Sequence, residues 1–138
     1  MTLLDTGPLV ALFDPRDPAH ERARRALKQE SAPLCTTIPV LTEAFHLLSP
    51  GSRGASALRD FVAESGLGLW FLDARGLARA FELMETYADH PMDLADASLV
   101  VAAERVPARR VVTLDRRDFE TYRILRGHRR IAFEVVRC

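Results

Sequence analysis

Short apolar runs alternate with amphipathic stretches along the whole chain. Five runs have the length and composition of buried strands: MTLLD, PLCTT, GLGLWFL, RRVVTLD and RIAFEVV. Between them, apolar residues recur at intervals of three and four, the period of a helix with one buried face. Strands that alternate with helices are typical of an α/β fold, in which helices cover both faces of a parallel sheet. In such sheets, ligands bind beyond the carboxyl ends of the strands, where the strand order reverses.

The helical stretches are separated by turn sequences such as DPRDP and PGSRG. We predict helices over LVALF, AHERARRALKQE, PVLTEAFHLL, ASALRDFVAES, ARGLARAFELMETYADH and DLADASLVVAAERV. In the last of these, Asp93 stands at the position of an N-cap residue. The segment RRDFETYR is interpreted as a loop or a short helix.

Length and composition favour one globular domain, which we predict to span residues 1–138. The two cysteines, Cys35 and Cys138, are too few for a disulfide framework or a zinc site, which fits a reduced compartment. No apolar run approaches the roughly 18 residues of a membrane span. The N-terminus also lacks the basic residues of a signal peptide. We therefore expect a cytoplasmic protein without a membrane partner.

Positive charge is concentrated in the last quarter of the chain. Residues 105–138 contain ten arginines and four acidic residues, a balance of +6, and since the whole chain is neutral, residues 1–104 carry −6. This segment could supply phosphate contacts beside an acidic site. A solvated, arginine-rich surface explains the same charges, and the sequence leaves both interpretations open.

Four acidic residues follow predicted strands or begin predicted helices, and these are our candidate catalytic residues: Asp5, Glu43, Asp96 and Asp115. Carboxylates that crowd together raise one another's pKa values unless a cation joins them. Mg²⁺ or Mn²⁺ suits a site of carboxylates without histidine or thiolate ligands. Such an ion activates water and stabilises the leaving oxygen of a phosphodiester. The pattern therefore indicates hydrolysis of nucleic acid.

Each candidate also has a simpler explanation. Asp5 could cap the helix that follows it, and Glu43 could be an ordinary solvent-exposed residue on an amphipathic helix. Asp93 and Asp96 are spaced as a capping box, and we favour this interpretation for Asp93. Asp93 is therefore only a possible accessory residue of the site.

Three further residues are possible accessories to the site. Asp118 competes with Asp115 for the last acidic position, although it could instead cap the short helix around it. Thr6 and Thr113 could hydrogen-bond a water or a phosphate, or could be ordinary turn and strand residues.

The segments LLDTGPLVALFD, TEAFHLL, MDLADASLVVAAE and VVTLDRRDF together resemble the PIN-domain ribonucleases, especially the VapC-like toxins of toxin–antitoxin pairs. The resemblance covers nearly the whole chain. It implies a five-stranded parallel sheet, Mg²⁺- or Mn²⁺-dependent endoribonuclease activity on RNA, a cognate antitoxin and a homodimer. It also implies an acidic site at Asp5, Glu43, Asp96 and Asp115, with Asp5 and Asp96 as metal ligands.

Two other functions remain open at this point. Phosphotransfer through an aspartyl phosphate also uses an Asp after the first strand. However, Asp5 is followed by TGPL without a second Asp two residues later, and the only lysine, Lys28, lies in an early helix. The other alternative is a PIN-fold binding module without catalytic activity.

Overall fold

The structure is a computed structural model that describes residues 1–138. Its strands are β1 (Thr2–Leu4), β2 (Leu34–Thr37), β3 (Gly68–Trp70), β4 (Arg110–Thr113), β5 (Arg123–Arg126), β6 (Arg129–Ala132) and β7 (Glu134–Arg137). Its helices are α1 (Thr6–Phe13), α2 (His20–Gln29), α3 (Ile38–Leu48), α4 (Arg53–Glu64), α5 (Ala74–Thr86), α6 (Leu94–Arg105) and α7 (Arg116–Thr121). None of the helices is long and apolar enough to cross a membrane.

The central sheet has five parallel strands in the order β3-β2-β1-β4-β7. Successive residues in its middle strands, Leu3 and Leu4 in β1 and Val111 and Val112 in β4, are fully buried. Because successive side chains of a strand point to opposite faces, both faces of the sheet are covered. The predicted α/β class and the five-stranded parallel sheet are confirmed.

The strand order reverses between β1 and β4. From β1 the chain runs outward through β2 and β3, and it then returns to add β4 and β7 on the other side of β1. The loops after β1 and β4 therefore diverge and leave a crevice at the carboxyl edge of the sheet. Asp5 follows β1 and Asp115 follows β4, so both candidate residues lie at this point.

Helix α6 begins at the same edge. It is buried along nearly its whole length, which explains its uniform run of Ala, Leu and Val residues. The Asp93 side chain accepts a hydrogen bond of 2.8 Å from the backbone N–H of Asp96, which confirms that Asp93 caps the helix. The cap fixes where α6 starts and therefore where Asp96 lies.

Two boundaries differ from the prediction. The helix expected over residues 74–90 ends at Thr86. This is consistent with the approach of Pro91, because the residue before a proline disfavours helical geometry. The run RIAFEVV is not one strand: it is divided between β6 and β7 by Phe133, which is buried against Phe119 with 5.3 Å between ring centroids. Strand β6 pairs with β5 in a separate antiparallel hairpin.

Candidate active site

Asp5 lies in the crevice and is almost fully buried, with 3% of its surface exposed. Its Oδ2 accepts a hydrogen bond of 2.7 Å from the Thr113 hydroxyl at the end of β4. The same hydroxyl accepts a bond of 2.9 Å from the backbone N–H of Asp115. Thr113 thus joins the ends of the two central strands. Asp5 occupies the N-cap position of α1 but makes no capping bond with its side chain, so capping does not explain it.

The pKa of the Asp5 carboxyl is raised from 3.8 to about 6, chiefly because burial removes water from the charged form. The hydrogen bond from Thr113 acts in the opposite direction, and the charges of Asp115 and Asp93 raise the pKa further. Near neutral pH, Asp5 is therefore an ionised carboxylate, and its charge lowers the free energy of unfolding because it is buried.

Asp96 lies in the first turn of α6 and shares this environment. Burial, followed by the charges of Asp5 and Asp93, raises the pKa of Asp96 to about 8. Its Oδ2 accepts a hydrogen bond of 3.2 Å from the hydroxyl of Tyr122, which is fully buried. Asp5 and Asp96, 91 residues apart in the sequence, are thus close enough for the charge of Asp5 to raise the pKa of Asp96.

Asp115 and Asp118 have different surroundings. Asp115 is exposed at the N-cap position of α7, where its side chain makes no hydrogen bond. Burial and the charges of Asp118 and Asp93 raise its pKa. Asp118 lies in the first turn of α7, and its carboxylate pairs with Nε2 of His90 instead of capping the helix. Asp115 is therefore the acid of this pair that has a free carboxylate.

Glu43 lies on α3, on the same groove as Asp93. It forms no hydrogen bond or ion pair, and it lines a groove of about 710 Å³ together with Asp93. Apolar side chains from α3, from the segment before α5, from α5 itself and from the start of α6 make up most of this groove: Ile38, Pro39, Phe71, Leu72, Leu77, Leu94 and Ala95. The groove thus adjoins the crevice through Glu43 and Asp93.

Thr6 follows Asp5 directly and begins α1. Its hydroxyl oxygen is buried and has no hydrogen-bond partner in the protein. Buried polar groups normally have a partner, because an unsatisfied one costs about 1–3 kcal/mol. The hydroxyl of Thr2, at the start of β1, is likewise buried without a partner; the Thr6 oxygen differs in lying one residue from Asp5, where a further polar group at the crevice could reach it.

The donor set fits a small divalent cation. Asp5, Asp93, Asp96 and Asp115 form no ion pair with any arginine or lysine, although neighbouring negative charges raise the pKa values of Asp5, Asp96 and Asp115. A cation would remove that repulsion, and carboxylate oxygens are the ligands that Mg²⁺ and Mn²⁺ prefer. No three His, Cys, Asp or Glu side chains are close enough to form a complete cage. A cation bound here would need water or phosphate oxygens to complete its coordination.

Comparison with known proteins identifies the fold family. Residues 2–125 match the sequence model of the PIN domain. The chain belongs to the PIN domain family. This PIN domain is 31% identical over 130 residues to Ribonuclease VapC26 of Mycobacterium tuberculosis, an alignment that covers 92% of this chain and 96% of the relative. The predicted family resemblance is confirmed.

Solved structures share the PIN fold at lower identity. The M. tuberculosis toxin VapC20, described as cleaving the sarcin–ricin loop, has a TM-score of 0.74 at 19% identity and covers 80% of this chain and 87% of its own. A toxin–antitoxin complex from Klebsiella pneumoniae gives 0.67 at 20%, with 88% and 92% covered. The DNA-bound VapBC of Salmonella typhimurium gives 0.62 at 22%, with 97% and 96% covered. These likenesses support the fold.

Two residues of the site were not found from the sequence. Tyr122 and His90 contact Asp96 and Asp118 across 26 and 28 positions of sequence, respectively. Nothing in the local pattern distinguishes either residue, because both partners are brought together only by the packing of α7 and β5 against α6. The one available sequence signal for Tyr122 was that this aromatic residue closely follows Asp115 and Asp118.

Proposed function

We propose that this PIN domain is a metal-dependent endoribonuclease that acts as the toxin of a toxin–antitoxin pair. The observation that carries the proposal is the convergence of Asp5, Asp96 and Asp115 on one crevice without a basic partner. Such a group of acids is costly to maintain unless it serves a cation. The 31% identity to a protein named as a ribonuclease supports RNA cleavage as the reaction that the cation would serve.

The proposed ligands are Asp5 and Asp96, and the cation is Mg²⁺ or Mn²⁺. A bound ion of this kind lowers the pKa of water and stabilises the leaving oxygen of a phosphodiester. Thr113 orients Asp5, and the Asp93 cap fixes the start of α6 that carries Asp96. Glu43 contributes negative charge from the adjoining groove.

Asp115 is proposed to orient the attacking water or to contribute to a second ion. It is exposed, its carboxylate makes no hydrogen bond, and it lies close enough to Asp5 to raise the pKa of that residue. Asp118 does not fit this role because its carboxylate is already paired with His90.

RNA is the proposed substrate, and its backbone requires cationic contacts. The arginines of the hairpin divide into two groups. Arg123 donates to the backbone carbonyl of Glu120 near the end of α7, and Arg126 donates to those of Ala103 in α6 and Ala108 before β4, so both are structural. Arg129 and Arg130 are exposed and have no hydrogen bond or ion pair, so they are available for phosphates. Action on RNA also agrees with the cytoplasmic location that we propose for this protein.

The cognate antitoxin is proposed to occupy the groove that Glu43 and Asp93 border. Its apolar lining includes Phe71, which is 68% exposed, and its acidic border favours a segment that combines apolar residues with a basic side chain. The homodimer implied by the family stays a prediction. Leu47 on α3 and Phe81 on α5 are exposed apolar side chains that a second copy could cover.

An RNA cleavage assay tests the proposal. Protein purified without any partner chain is incubated with a panel of RNAs and Mg²⁺ or Mn²⁺, with and without EDTA. We expect cleavage that EDTA abolishes. Asp5→Asn and Asp96→Asn should each lower the rate by more than about a hundredfold, since loss of a ligand exceeds the roughly 10–100-fold cost of losing a supporting partner.

The matched control is Asp60→Asn, which removes an exposed acid on α4 that forms no hydrogen bond or ion pair. This variant should cleave at the rate of the unmodified protein. Full activity in Asp5→Asn and Asp96→Asn would contradict the proposed site. Absence of cleavage with either metal, together with retained binding of the partner protein, would identify a binding module instead.

A further inference from the structure

Tyr122 is held rigidly next to the acidic crevice. It follows α7, and none of its surface is exposed. Its ring makes edge contacts with three aromatic rings, at centroid distances of 5.1 Å from Tyr87, 5.3 Å from Phe119 and 6.0 Å from His90. Edge-to-face packing of this kind is favourable and directional. The position of the phenol oxygen is therefore fixed by the core.

The phenol is aimed at one oxygen of Asp96. Its hydroxyl donates to Asp96 Oδ2 over 3.2 Å, the direction that also suits the ionised carboxylate that a bound cation would require. The other oxygen, Oδ1, has no hydrogen-bond partner in the protein. One oxygen of the carboxylate is thus tied to the core, and the other is free.

We propose that Tyr122 is a positioning residue, which holds the Asp96 carboxylate in the orientation that binds the divalent cation. This inference rests on the proposed metal-dependent function. It concerns how the chain prepares one ligand and assigns Tyr122 no contact with the substrate.

The physical need for such a residue follows from repulsion. Asp5 and Asp93 both act on Asp96 with like charge, and rotation about the two side-chain bonds of Asp96 would relieve that repulsion. A hydrogen bond from a fixed donor opposes the rotation. Because a phenol is neutral, it restrains the carboxylate without cancelling the negative charge that attracts the cation. A lysine or arginine at this position would compete with the ion.

The chain contains a matched control in Tyr87. Its ring contacts Tyr122, and its hydroxyl accepts a hydrogen bond of 3.0 Å from the backbone N–H of Arg123. It does not contact any acidic side chain. Tyr87→Phe and Tyr122→Phe therefore each remove one hydrogen-bonded hydroxyl from the same aromatic cluster, and only Tyr122→Phe releases Asp96.

The test is the affinity of the two variants for Mn²⁺, measured by calorimetry in the absence of RNA and beside the unmodified chain. We expect Tyr122→Phe to bind Mn²⁺ about tenfold more weakly, the lower end of the usual effect of removing a partner of a metal ligand. Tyr87→Phe should bind as the unmodified chain does. In cleavage assays, Tyr122→Phe should need about tenfold more Mn²⁺ and should recover its full rate at saturation.

A second measurement does not depend on the folding of Tyr122→Phe. The chain has two tyrosines, so Tyr122 is the only one left in Tyr87→Phe. Addition of Mg²⁺ to that variant should change the near-ultraviolet absorbance of tyrosine, because the ion draws charge from the carboxylate that the phenol contacts. The midpoint of this change should equal the midpoint of Mg²⁺ binding.

Three results would overturn the inference: equal Mn²⁺ affinity in Tyr122→Phe and the unmodified chain, equal loss of affinity in both variants, or an unchanged tyrosine spectrum. With metal-dependent cleavage by the unmodified chain, these results reject the role of Tyr122 and leave the proposed function intact. Absence of metal binding by the unmodified chain would reject both.

Discussion

Replacement of Asp5 by Asn should stabilise the metal-free protein at neutral pH while it abolishes cleavage. The Asp5 carboxyl is 3% exposed, and burial is the main reason that its pKa is raised to about 6. An Asn side chain has nearly the same shape and carries no charge. Its amide oxygen can still accept the hydrogen bond that the Thr113 hydroxyl donates to Asp5. The substitution therefore removes the buried charge and conserves the packing.

The size and sign of the effect follow from the two pKa values. In the unfolded chain Asp5 has a pKa of about 3.9, so between about pH 4 and 6 the folded state binds more protons than the unfolded state. The free energy of unfolding of the unmodified chain therefore falls as the pH rises through this interval. The difference between about 6 and the unfolded value corresponds to about 3 kcal/mol, at about 1.36 kcal/mol per pH unit.

Asp5→Asn lacks this titration. Relative to the unmodified chain, its free energy of unfolding should rise by about 3 kcal/mol between about pH 4 and 7. The charge of Asp5 also raises the pKa of Asp96, so its removal should ease the ionisation of Asp96 and act in the same direction. Acids that are not coupled to Asp5 titrate equally in both proteins, and their contributions cancel in the difference.

The assay is urea unfolding of both proteins in EDTA at several pH values, with linear extrapolation to water. Asp60→Asn, the exposed control on α4, should show no difference that depends on pH. A constant difference between Asp5→Asn and the unmodified chain would refute the reasoning, since it would mean that Asp5 ionises without penalty. The reasoning would be refuted more directly if the free energy of unfolding of the unmodified chain rose relative to that of Asp5→Asn as the pH increased.

Two further outcomes test the supporting residues. Thr113→Val keeps the shape of the side chain and removes the donor to Asp5, so we expect weaker Mn²⁺ binding by roughly 10–100-fold in calorimetry; unchanged affinity would mean that Thr113 does not orient the ligand. Replacement of both Arg129 and Arg130 by Gln should lower the slope of log affinity for single-stranded RNA against log salt by about 1.4, since each lost phosphate contact is worth about 0.7. An unchanged slope in this double variant would exclude Arg129 and Arg130 from the RNA contact. Arg126→Gln should instead lower the melting temperature, because Arg126 donates to the carbonyls of Ala103 and Ala108.

The sheet and one helix cap could be predicted because their signals are local. The runs MTLLD and RRVVTLD each contain a short apolar stretch followed by an acid, and both form central strands that end at the crevice. The spacing of Asp93 and Asp96 is a local signature of a helix start, and the capping bond was found. In these cases the residues that determine the element are neighbours in sequence.

The hairpin was missed because its pattern is hidden by arginines. Gly127, with a φ of +62°, and His128 form the two-residue loop between β5 and β6. Glycine followed by another residue is a known hairpin signal. However, Arg123 and Arg126 are strand residues whose charged ends reach backbone carbonyls. Charged positions of this kind conceal the alternation of apolar residues that indicates strands.

The choice between Asp115 and Asp118 shows what only the tertiary structure can decide. Each aspartate near the crevice except Asp115 has a specific partner on another element or in its own helix. Asp5 is held by Thr113, Asp96 by Tyr122 and Asp118 by His90.

These partners are neutral or weakly basic, so they hold the carboxylates against mutual repulsion without neutralising them. Asp115 alone is exposed and unrestrained, at the start of α7, where it can reorient as substrate binds. We therefore propose Asp115 as the fourth catalytic acid. On this reasoning, loss of Asp118 should disturb His90 and leave the metal affinity of the Asp5 and Asp96 pair largely intact.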